Sequence, residues 1–266
     1  MSATITITTT PVREIETDNR ERSLWEILKC FPAPVWVVFG GMFINRFGTF
    51  VIPFLALHLK TLGYTTAQAG FGMACYGFGH FIATFVGGHL TDTLGRRKTI
   101  VLSMFSSAAT MVSLAQAAEL KSILFLASLA GFTGELYRPA SSALLTDLVP
   151  EKDRVTAFAV YRFAINAGWA FGPATAGFLA KYSYSWLFYV DGITSLAYGI
   201  IAIHLLPRRE NFTEFHTNSR PRDGFWKGLK IATNAAIGNK RFLQVVMASF
   251  AVALGFMQIF QPSGWK

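Results

Sequence analysis

The sequence predicts an all-α integral membrane protein: a six-helix bundle followed by a seventh spanning helix. The 266 residues are 52% hydrophobic and 15% aromatic but only 15% charged, a composition typical of membrane chains. The apolar residues also gather into blocks longer than a soluble core helix needs. A hydrocarbon layer of roughly 30 Å takes about 20 residues at about 1.5 Å each. Blocks of that length run over 33–59, 69–90, 99–117, 122–148, 155–182, 186–206 and 242–260.

These spans divide the chain into a polar tail (1–31), a six-helix unit (32–207), a basic connector (208–241) and a last segment (242–266) that holds the seventh span. Polar groups recur near the middles of spans one and four, Asn45 with Arg46 and then Glu135 with Arg138. That recurrence hints at two three-helix repeats.

The formal charge is +9, and its distribution is that of a topology signal rather than a nucleic-acid surface. Alternate connections carry the cations: Arg13, Arg20, Arg22 and Lys29 in the tail, Arg96 to Lys98, Lys152 with Arg154, and eight more between Arg208 and Arg241. The other side has only Lys60, Lys121 and Lys181. The expectation is a multi-pass protein of the cell membrane with its amino terminus in the cytoplasm.

The tail is polar and lacks the basic start, apolar run and cleavage site of a secretory signal. Residues 21–30 suit either a short amphipathic surface helix or a mobile tail. Cys30 and Cys75 have neither disulfide nor metal spacing, and no cofactor is expected. Asn211-Phe212-Thr213 matches a glycosylation acceptor but lies in the expected cytoplasmic connector. No Gly-x-Ser-x-Gly, HExxH or phosphate-loop run is present, so an enzyme is not expected.

The connection between spans two and three reads Gly87-Gly88-His89-Leu90-Thr91-Asp92-Thr93-Leu94-Gly95-Arg96-Arg97-Lys98. Gly88, Asp92, Gly95, Arg96 and Arg97 resemble the signature of the major facilitator superfamily, with Thr93 where that family usually places Arg or Lys. Without the resemblance, glycines still permit a tight turn and close helix contact, and arginines anchor a loop at anionic head groups. A carboxylate at the membrane edge needs a partner. Arg96 lies one turn on, and Asp147 and Arg154 share its face. The resemblance implies that Asp92, Arg96 and Asp147 form a latch on the cytoplasmic side; the competing reading is that these charges serve only as topology determinants.

Span five contains Gly168-Trp169-Ala170-Phe171-Gly172-Pro173-Ala174-Thr175-Ala176-Gly177. Gly168, Gly172, Pro173 and Gly177 resemble the antiporter pattern of the drug:proton branch, with Ala176 in place of one glycine. The physical reading is a bent helix closely packed by its small-xxx-small face, which ordinary membrane packing also produces.

Arg46, Glu135, Arg138 and Arg162 lie deep inside the spans, and Asp191 near the outer start of span six. Counting from Asp147, Arg138 lies about 13 Å and Glu135 about 18 Å in. A lone charge at mid-bilayer costs at least ~2.5 kcal/mol, so such groups face a cavity or each other. Glu135 with Arg138, and Arg162 with Asn166, each share a helix face. The resemblance implies that spans one, two, four and five line the central cavity. Asn45, Arg46, Glu135, Arg138, Arg162 and Asn166 are then candidates for the substrate and proton pathway, with Glu135 the proton carrier. Burial favours the neutral acid and a neighbouring guanidinium favours the anion. The alternative is a static Glu135–Arg138 ion pair. His80 among glycines and phenylalanines reads as structural, although an imidazole can titrate near neutrality. Ala130 stands where many drug antiporters carry an Arg. The 25 Phe suit lipid or an apolar ligand and name no substrate.

The resemblance implies the amino-terminal half, plus one helix, of a proton-coupled exporter of small amphipathic compounds. Its partners are membrane lipid, a small-molecule substrate and protons, with no nucleic acid. The cavity of such a transporter forms between two six-helix halves, so the chain is expected to be incomplete. It is either a truncated product or a half that pairs with a separate half or a second copy of itself. A non-transporting membrane remnant or scaffold is the competing expectation.

Overall fold

The computed structural model describes residues 23–49, 51–208, 238–239 and 243–249. The chain divides into two compact units, Met1–Arg209 and Glu210–Lys266. Of the second, residues 243–249 are helical. The rest of the expected seventh span, nearly all of the basic connector and residues 1–22 lie outside the described residues.

The first unit opens with α1 (Leu24–Lys29), a short helix closed by a capping box between Ser23 and Glu26. Expected span one is two helices, α2 (Ala33–Gly48) and α3 (Val51–Thr61). Span two is α4 (Thr66–Thr93) and span three α5 (Arg96–Gln116). Span four is again two helices, α6 (Leu120–Glu135) and α7 (Tyr137–Leu148). Span five is α8 (Arg154–Ala180) and span six α9 (Tyr184–Leu205).

Both interruptions fall within the four residues before a proline. Pro53 has no N–H for the Thr49 carbonyl, and Pro139 has none for the Glu135 carbonyl. α8 runs through Pro173 without a break. Gly95 at φ 90°, ψ 161° opens α5, in a region of backbone space that is essentially glycine-only.

Among the described residues, α4, α5 and α9 are each long and apolar enough to cross a membrane. α4, at 28 residues, measures about 42 Å. It turns Phe71, Phe78, Phe81 and Phe85 outward, with Phe78 and Phe81 both 62% exposed, a row that water does not tolerate and lipid does. Inside, α4 packs along α6, α5 along α9, and α2 against both α8 and α9. An apolar core of Leu55, Leu59, Tyr76, Met111, Ile123 and Phe188 closes the end of the bundle remote from Arg96 and Asp147.

Candidate functional site

Two glycine contacts set the geometry at mid-bundle. A Cβ on Gly79 would collide with the Ser128 backbone, and one on Gly131 with the Tyr76 backbone, so α4 and α6 cross at backbone distance. A Cβ on Gly168 would come within 2.7 Å of Arg46 Cβ and 2.9 Å of Phe47 N, and one on Gly172 within 2.9 Å of Phe47 O. α8 therefore presses on α2 at the turn that carries Arg46. Gly177 and Gly88 have nothing within 4 Å of a Cβ, whereas Gly87 faces the Leu136 carbonyl at 2.7 Å. The close contact expected of Gly88 belongs to its neighbour.

Glu135, the last residue of α6, is 4% exposed and sits between two arginines. Arg46 Nη2, on α2, donates to Oε1 at 3.0 Å. Arg138 Nη1, on α7, donates to Oε2 at 3.2 Å. His80 Nε2, on α4, stands 3.9 Å from Oε2. Arg46 is 5% exposed, so two opposite charges are buried together, an arrangement stable only with good geometry and further hydrogen bonds. The side chain of Arg138 is 46% exposed. Beside the cluster opens a pocket of about 170 Å³ lined by Thr84, Glu135, Arg138, Pro139 and Ser142. Sites that enclose a drug-sized molecule run to about 300–1,000 Å³, so this pocket holds part of such a ligand or a few waters.

Asn45 faces away from this pocket, into a second polar group. Its Nδ2 donates to Ser195 Oγ on α9 at 3.4 Å and approaches Met104 Sδ on α5 at 3.7 Å. Its Oδ1 accepts from Tyr137 O–H at 2.9 Å. Tyr137 joins the two groups, because Arg46 Cζ lies 5.8 Å from its ring centre, within cation–π range. Sequence reasoning missed Tyr137 and Ser195. The first carried a faint signal, a polar residue two past Glu135; the second carried none.

Arg162 and Asn166 lie on the exposed side of α8, and among the described residues Arg162 makes no ion pair with the Glu135 cluster. At the basic end, Arg96 Nε is 2.8 Å from Asp147 Oδ2. That contact is a charge pair rather than an aligned hydrogen bond, since Nε has no hydrogen-bond partner of good geometry. Asp92 is exposed on the last turn of α4. Arg154 Nε donates to the Val149 carbonyl at 3.4 Å, and Arg97 donates to the Ile203 carbonyl, tying α5 to the end of α9.

A sequence model described as the Major Facilitator Superfamily matches residues 38–265. The chain belongs to that superfamily. Like other major facilitator proteins it is a membrane protein, with the apolar helices to match. It is 31% identical over 168 residues to the uncharacterized MFS-type transporter YqjV of Bacillus subtilis, a match covering 62% of this chain and 41% of that protein. It is 25% identical over 184 residues to the quinolone resistance protein NorA of Staphylococcus aureus, covering 68% of this chain and 47% of that one. The chain thus spans less than half the length of these relatives. A solved structure of the peptide transporter POT in complex with sulfate shares the fold, at a TM-score of 0.62 and 18% identity over 92% of this chain and 51% of the other.

Proposed function

We propose that this major facilitator chain is the amino-terminal half of a proton-coupled exporter of small amphipathic compounds, and that Glu135 carries the proton. The observation that carries the proposal is the burial of Glu135 between Arg46 of the first span and Arg138 of the fourth. In a medium of low dielectric the anion holds both guanidiniums; protonating it releases them. Helices α2, α6 and α7, which share this one carboxylate, then lose a common tie. A proton thereby becomes a change in helix packing, which is what coupling requires.

Support for a second half comes from the relatives, of which the matched segment covers only 41% and 47%. In this reading residues 32–207 form the transporter half, 208–241 a cytoplasmic connector and 242–266 the start of the second half. The positive-inside rule places the amino terminus in the cytoplasm. The Arg96–Asp147 pair then belongs to the cytoplasmic side as a latch that also involves Asp92. Export of amphipathic compounds rests on the likeness to NorA and on the glycines of α8.

The test is proton-driven dye efflux from vesicles, comparing this chain alone with a form that carries a second six-helix half. Flux in the longer form that collapses with the proton gradient supports the proposal. Gradient-independent behaviour of both, with normal insertion, favours a scaffold.

A further inference from the structure

We infer that His80 is a second proton site, the relay through which protons reach Glu135; this rests on the reading of Glu135 as the proton carrier. The Glu135 side chain is 4% exposed, whereas the His80 side chain is 38% exposed. Nε2 lies 3.9 Å from Glu135 Oε2, a gap that a small ring movement or one water closes.

The spacing is built into the helix crossing. His80 follows Gly79, and Glu135 stands one turn beyond Gly131. These two glycines lock α4 to α6, and a Cβ on Gly131 would meet His80 N at 3.0 Å. Oε1 accepts from Arg46 and Oε2 from Arg138, and Oε2 is the oxygen that His80 Nε2 approaches; a carboxylate oxygen can accept more than one hydrogen bond. Thr84, one turn after His80 and donating from its hydroxyl to the His80 carbonyl at 3.3 Å, lines the adjoining pocket together with Glu135.

The charged and titratable groups around it are Glu135 of α6, Arg138 of α7, Arg46 of α2 and Tyr76 of its own helix. In the proposed step the imidazolium is the donor and the Glu135 anion the acceptor. In the transfer the His80 Nε2–H bond breaks and a Glu135 Oε2–H bond forms. The imidazole and the acid are then both neutral, and the net charge of the cluster is unchanged. Arg46 and Arg138 lose their anion, and His80 takes its next proton through its exposed face.

The experiment is a pH jump on the full chain in liposomes, followed by the infrared carbonyl stretch of a protonated carboxyl. The Glu135→Gln variant identifies the Glu135 component. His80→Ala slows that component by about a hundredfold, the lower end of the range for loss of a positioned acid–base group, and added imidazole restores the rate. An unchanged rate in His80→Ala overturns the relay. Slowing that imidazole does not restore also overturns it, because it marks a structural role. Absence of any Glu135 component at every pH overturns the Glu135 reading itself and the relay with it.

Discussion

Arg46 and Glu135 lie 89 residues apart in the chain and 3.0 Å apart in the fold, each about 95% buried. This contact joins the first span to the fourth, and each charge depends on the other. Glu135→Gln leaves Arg46 buried without its anion, and the expected loss is about 3–5 kcal/mol, the usual result of breaking a buried pair from one side. Arg46→Met combined with Glu135→Gln recovers part of that loss. A thermal double-mutant cycle in detergent measures it, and additive losses contradict the coupling.

Tyr137 supports the same arginine from behind while it holds Asn45. Tyr137→Phe keeps the ring over Arg46 but leaves buried Asn45 Oδ1 short of a donor, for an expected cost of about 1–3 kcal/mol. Asn45→Ala in the Tyr137→Phe background then costs less than it does in the parent. Denaturation of the three variants checks this.

Much of this bundle was legible because a bilayer imposes length. Apolar blocks near twenty residues, bounded by charge, marked α4, α5, α8 and α9 closely. Spans one and four look continuous in the sequence because apolar content does not register a backbone break, although Pro53 and Pro139 mark the sites. Glu135 stood out as a charge deep in a span, but the only partner visible along the sequence was Arg138, three residues away. Arg46 and His80 come from other helices, and one-dimensional spacing cannot match helices across a bundle. Asn45 shows the same limit in reverse: it neighbours Arg46 in sequence yet faces α9.

The glycines separate by geometry rather than by motif. Gly168→Ala meets Arg46 Cβ at 2.7 Å and the Phe47 backbone at 2.9 Å, so a cost of about 1–3 kcal/mol is expected from overpacking. Gly177→Ala meets nothing within 4 Å and should stay within about 0.5 kcal/mol of the parent. Equal melting temperatures for the two variants contradict the α2–α8 contact.

In the connection between α4 and α5 the same contrast is one of backbone angle. Gly95→Ala must adopt φ 90°, at about 1–3 kcal/mol, whereas Gly88→Ala has open space. Thermal scans of both variants decide it.

The Arg96 and Asp147 side chains are 33% and 21% exposed, so screening limits their pair to about 0–1 kcal/mol of stability. A latch acts on populations instead. Arg96→Gln is expected to leave the melting temperature nearly unchanged while raising the labelling rate of a cysteine placed beside Asp147, in a background without Cys30 and Cys75. The charge swap Arg96→Asp with Asp147→Arg brings the rate back.

The most direct measurement of the central claim is counterflow against proton-driven flux for Glu135→Gln, in the form that carries both halves. If Glu135 carries the proton, the variant inserts normally and exchanges substrate across the membrane, but a proton gradient no longer drives net flux. Net flux that still follows the gradient would place the coupling proton elsewhere and leave the Arg46–Glu135–Arg138 cluster as a structural tie.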